Sequence, residues 1–74
     1  MVFDYSRLRG KIIEVYGSQA KFSHDMQLSE HSLSLKLAGK NSWKQKEMQR
    51  ACDLLGVPYE EIPKYFFTVI VQSV

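Results

Sequence analysis

The stretch that decides the fold is Gly17-Ser18-Gln19-Ala20-Lys21-Phe22-Ser23-His24-Asp25-Met26-Gln27-Leu28-Ser29-Glu30-His31-Ser32-Leu33-Ser34-Leu35-Lys36-Leu37-Ala38-Gly39-Lys40. Ser18 is placed to cap a helix over 19–26, in which Phe22 and Met26 form an i,i+4 apolar pair. Gln27-Leu28 is a short break, and Ser29 caps a second helix over 30–38 that Gly39 stops. Two short helices around so brief a break have the length pattern of a helix-turn-helix. The residue types suit one. Phe22 supplies the apolar contact, Ser23 is small enough for the helices to approach, Met26 and Leu28 bury the turn, and Leu33 is the reciprocal knob. Two positions depart from the ideal. Gln27 stands where glycine would reach a positive φ, at a cost of roughly 1 kcal/mol. Lys36 takes an inward place, with Leu37 next to it to supply the apolar contact and the lysine stem lying along the surface. A generic helical hairpin is the alternative.

Outward from this window, Asp4 or Ser6 caps a first helix that runs to about Tyr16, with Leu8, Ile12 and Val15 on one face. After the polar loop Lys40-Asn41-Ser42, a fourth helix opens at Ser42 or Trp43 and runs to Leu55. Met48, Cys52 and Leu55 face inward, and Lys44, Lys46 and Arg50 face outward. Gly56 and Pro58 end it, and residues 59–65 form a last helical turn around Ile62. Residues 66–74 are β-branched and aromatic, which predicts a strand. The expectation is an all-α bundle of four to five short helices with a C-terminal β-strand: a helix-turn-helix domain over 1–66 and a tail over 67–74.

Composition narrows the functions. The 74 residues hold one core. Aromatics at 12% argue against a disordered chain. No apolar run reaches the ~18 residues of a membrane span. The single Cys52 has no partner for an internal disulfide, which fits a reducing cytoplasm. Two histidines and one cysteine at unrelated spacings give no metal pattern, and no cofactor motif is present. His24 and Asp25 are adjacent on one helix, where neighbours point about 100° apart, so they form no catalytic relay. An enzyme is not expected, and no small-molecule substrate or membrane partner is evident. The net charge of +2 is concentrated before residue 57, since the tail sets Lys64 against Glu60 and Glu61. Any surface for a polyanion therefore lies in the first three-quarters of the chain.

The window 17–40, the opening Phe3-Asp4-Tyr5-Ser6-Arg7-Leu8-Arg9-Gly10-Lys11-Ile12-Ile13, the Trp43-Lys44 pair, and the closing Glu61-Ile62 and Tyr65-Phe66-Phe67 resemble the helix-turn-helix domains of phage repressor and Cro proteins. More narrowly, they resemble a small phage- or prophage-encoded branch that is mostly uncharacterised. The resemblance covers residues 1–67. It implies a lambda-repressor-like bundle in which helices 2 and 3 carry the motif. Gln19 would brace the DNA backbone, and Ser18 would leave helix N–H groups free for a phosphate. The recognition helix would enter the major groove N-terminus first with Ser29, Glu30, His31 and Ser32, followed by Ser34 and Leu35. Glu30 can accept from cytosine N4, His31 can donate to guanine, the serines serve either way, and Leu35 meets a thymine methyl or is half-buried. Lys36, Lys40 and the N–H groups around Asn41 would contact phosphate. The expected function is that of a sequence-specific regulator binding double-stranded operator DNA as a homodimer. Phe67, Val69, Ile70 and Val71 of the tail would pair with a second copy, or else Phe66 and Phe67 pack on their own core. There is no room in 74 residues for the cleavable second domain of full-length phage repressors, so a Cro-like or small excision-control role is expected. The rival from another class is a helical adaptor or inhibitor that binds a protein and not DNA.

Overall fold

The structure, a computed structural model, describes residues 3–69. Five α-helices follow in order: α1 (Ser6–Tyr16), α2 (Gln19–Met26), α3 (Glu30–Leu37), α4 (Gln45–Leu55) and α5 (Ile62–Phe66), with a 3₁₀ turn at Tyr59–Glu61 before the last. The core is formed by Leu8 and Ile12 of α1, Phe22 and Met26 of α2, Leu33 and Leu37 of α3, and Ala51, Cys52 and Leu55 of α4, closed by Trp43 and Phe66. Every helix is too short to stand alone in water, so this shared interior is what holds them.

Helix ends fall where local chemistry puts them. Asp4 Oδ1 accepts from Ser6 N at 2.9 Å, ahead of the first turn of α1. Gly17 closes α1 at φ +81°, a left-handed conformation that a side chain would strain. Ser18 and Ser29 cap α2 and α3 through their hydroxyls. Gln27 is the only described non-glycine residue at positive φ, +61°, and it makes the turn of the motif. The Leu28 N–H then donates to Ser23 O at 2.9 Å and closes that turn.

Two expectations need correction. The fourth helix begins at Gln45 and not at Ser42 or Trp43, because Trp43 is turned into the core against Phe66, with ring centroids 5.0 Å apart. The carboxylate of Glu47 then caps the new start by accepting from Lys44 N at 2.9 Å. The C-terminal strand is also absent among the described residues. Phe66 is the last residue of α5 and is buried, Phe67 and Thr68 are irregular, and Val69 makes one isolated antiparallel bridge to Phe3. Burial of Phe66 against Trp43 outweighs the strand preference of its side chain, which is a preference for a half-buried pleated surface more than for any backbone shape. Pro63 fits the first turn of α5, where no N–H is needed, and Thr68 Oγ1 donates back to Lys64 O at 2.7 Å. Residues 70–74, with Ile70 and Val71 of the expected dimer contact, lie outside the described residues.

Candidate nucleic-acid interface

α2 packs on α1, α3 and α4 and so serves as the brace behind α3. Phe22 is fully buried, and Ser23, itself buried, donates its hydroxyl to Ala20 O at 2.7 Å, which leaves no bulk where the helices cross. Leu33 is fully buried opposite. With these inward positions fixed, the leading edge of α3 is turned outward: Ser29, Glu30 and His31 are exposed, Ser34 one turn on is exposed, and Ser32 and Leu35 are half-buried. Ser29 Oγ accepts from Ser32 N and donates to Ser32 Oγ, both at 3.0 Å, so these two hydroxyls are first of all a helix cap. Glu30 and His31 therefore remain as the exposed side chains of the first turn that take no part in the cap. At the start of α2, Ser18 Oγ accepts from Lys21 N at 3.3 Å, and Gln19 is half-buried beside it.

The expected phosphate contacts are largely redirected. Lys36 is buried, and its Nζ donates to Glu47 Oε1 and to Ser42 O, each at 2.9 Å. It also lies 5.9 Å from the centre of the Trp43 ring. An ammonium with only 9% of its side chain exposed and a carboxylate already against it has nothing to offer a phosphate. Its stem does not lie along the surface as expected, because Glu47 and the Ser42 carbonyl hold the ammonium inside. The N–H groups of Lys40 and Asn41 are likewise taken, both donating to Leu35 O, at 2.9 and 3.3 Å, where they satisfy the end of α3. The side chains of Lys40 and Asn41 stay exposed, as does Lys21. Arg9, not anticipated at this site, donates from Nη2 to Leu37 O at 3.0 Å and so ties α1 to the C-terminus of α3.

Glu47 is the electrostatic centre of this region. Burial pushes its carboxyl pKa up, but the hydrogen bonds from Lys36 and from Lys44 N outweigh it and hold the group below the ordinary carboxylate range. The sequence carried a signal for this pair: a lysine at an inward helix position, and a glutamate three residues beyond the residue that caps α4. The Trp43 ring lies under the Lys36 ammonium, and its buried Nε1 has no hydrogen-bond partner among the described residues. A buried donor left unmet costs about 1–3 kcal/mol. Of the expected dimer residues, Phe67 and Val69 are exposed, at 45% and 44%. Among the described residues no group of three or more His, Cys, Asp or Glu is placed to hold a metal ion, and no helix is long and apolar enough to cross a membrane.

A bundle of five short helices among the described residues, with α2 bracing α3 and the leading edge of α3 exposed, defines a small all-helical protein. Residues 1–69 match the family described as "Protein of unknown function (DUF739)", and the chain belongs to that family. The family shown is thus this one, not the repressor and Cro family that the motif resembles. Among solved structures, the chain is similar to the modulator of repression (MOR) of the temperate bacteriophage TP901-1 from Lactococcus lactis. The two are 46% identical over 95% of this chain and 97% of that one, with a TM-score of 0.79. No curated protein matches the chain.

Proposed function

We propose that the chain is a phage regulator that modulates repression, and that it does so by setting the leading edge of α3 in the major groove of operator DNA. The observation that supports this most is the exposure of Glu30 and His31 on a helix whose opposite face is locked by Phe22, Ser23 and Leu33. The similarity to a protein named for modulating repression agrees with a role in a phage genetic switch. The charge on the face limits what it does alone. With Lys36 spent on Glu47 and the exposed Arg9 guanidinium held by the Leu37 carbonyl, the exposed cations left to it are Lys21 and Lys40, partly offset by Glu30. Two phosphate contacts per protomer give a salt dependence of log K near −2 per protomer, about a fifth of that of a dedicated repressor dimer. Binding by the isolated protein is weak, and a homodimer on a palindromic site strengthens it by doubling the contacts. The chain has no catalytic role in this reading.

The same charge balance favours a second reading, in which the edge with Glu30 docks on a repressor protein. Anisotropy titrations of the intact protein against switch-region duplex, and separately against the cognate repressor, separate the two. Duplex binding at low salt that falls with Gln19→Ala and His31→Ala supports the first. Repressor binding lost in Glu30→Lys, with no duplex binding at low salt, supports the second and overturns the first.

A further inference from the structure

The loop that follows α3 has a backbone that is tied down and side chains that are not. The N–H groups of Lys40 and Asn41 donate to Leu35 O, and the Ser42 carbonyl accepts from the Lys36 ammonium at 2.9 Å. Gly39, at φ +77°, is packed so that a Cβ there would lie 3.9 Å from the Tyr5 ring. The side chains of Lys40, Asn41 and Ser42 are exposed and make no hydrogen bond or ion pair among the described residues. A fixed backbone that carries free polar groups leaves a ligand little ordering to impose. All three residues line a pocket of about 310 Å³, within the size range of small-molecule sites. Phe3 and Phe67 line it too, from the segments before α1 and after α5, edge to face at 5.6 Å. Phe3 is half-buried and Phe67 is 45% exposed, so both keep surface that a flat ring can cover.

The lining thus combines aromatic surface with an amide, a hydroxyl and an ammonium, and each narrows the ligand. An ammonium on a flexible stem suits a phosphate as a point charge. A primary amide offers an acceptor and a donor side by side, the pair that matches the N6 amine and N7 of adenine. Aromatic surface takes the face of a base. We propose that this pocket binds an adenine nucleotide, with the base against Phe3 and Phe67, its edge on the Asn41 amide, and its phosphate on Lys40 and the Ser42 hydroxyl. A bound nucleotide also engages one of the two exposed cations left to the α3 face; that consequence rests on the DNA reading, whereas the site itself does not.

Asn41 is the sole asparagine, so ¹⁵N-asparagine labelling of the full chain gives one side-chain NH2 signal, at the proposed contact. AMP titrated without DNA is expected to move that signal in a saturable way. Ribose 5-phosphate, which lacks the base, should leave it in place. Purine riboside 5′-monophosphate, which lacks only the N6 amine, should bind about tenfold more weakly than AMP. Asn41→Ala keeps the backbone N–H that ties the loop, and should bring these two nucleotides to equal affinity, read from the backbone amides of 39–42. Lys40→Ala, at an exposed position, is expected to weaken AMP by about fivefold, the size of an exposed charge contact, and to leave adenosine unchanged. The proposal is overturned if AMP leaves the Asn41 signal in place, if ribose 5-phosphate moves it equally, or if Lys40→Ala binds AMP as the parent does. None of these outcomes bears on duplex binding.

Discussion

Lys36 is the residue around which the site is organised. Its buried ammonium, Glu47 and the Ser42 carbonyl join α3 to the start of α4. Removing one partner strands the other: Glu47→Ala is expected to lower unfolding free energy in urea by about 3 kcal/mol, while the paired replacement Lys36→Met with Glu47→Leu comes out near neutral. The pH dependence follows from the sign of the Glu47 shift. A carboxyl held below its unfolded value stabilises the fold above the ordinary carboxylate range, and that contribution is lost as pH falls through the folded value. Glu47→Gln should therefore flatten the acid limb of the stability curve below about pH 4.5. Gln27 is the converse case. It sits at φ +61° with its side chain exposed, so Gln27→Gly should raise stability by about 1 kcal/mol, a change readable in the same urea experiment. The strain at Gln27 was legible in the sequence from the motif spacing alone. The destination of Lys36 was not, because a lysine stem along the surface and a buried lysine with a counter-ion share the same helical position, and the deciding residue is eleven positions away.

At the scale of elements, α1, α2 and α3 were readable because each carries its own punctuation. Gly17 stops one helix, Ser18 and Ser29 start the next two, and an apolar stripe of period 3.6 runs between them. Ser29→Ala should cost about 1 kcal/mol and loosen the first turn of α3, visible as faster amide exchange at Ser32. Residues 66–69 form no strand although their local composition favours one, because the decision lies in the contact of Phe66 with Trp43, far away in sequence. The same contact delays the start of α4, since a tryptophan committed to the core cannot also open a helix there. Both departures from local preference have one cause: the aromatic cluster of Tyr5, Trp43 and Phe66 is assembled from three separate segments, and no window of sequence contains it.

For the whole molecule, the bundle fixes which surface is available for a partner more firmly than it fixes who the partner is. The exposed edge of α3 and the few cations near it suit a modulator better than an autonomous repressor. The proposed homodimer is a matter of mass. Sedimentation of the full chain and of a truncation after Phe67 should give two species, a dimer and a monomer; equal masses would remove tail-mediated pairing. The most direct test of the central claim is a map of amide shift changes when a switch-region duplex is added at low salt. Changes concentrated at Glu30, His31 and Ser34, with Lys21 and Lys40 beside them, are the predicted result. Changes centred on the outer face of α1 or on α5, with residues 29–35 unmoved, would contradict it.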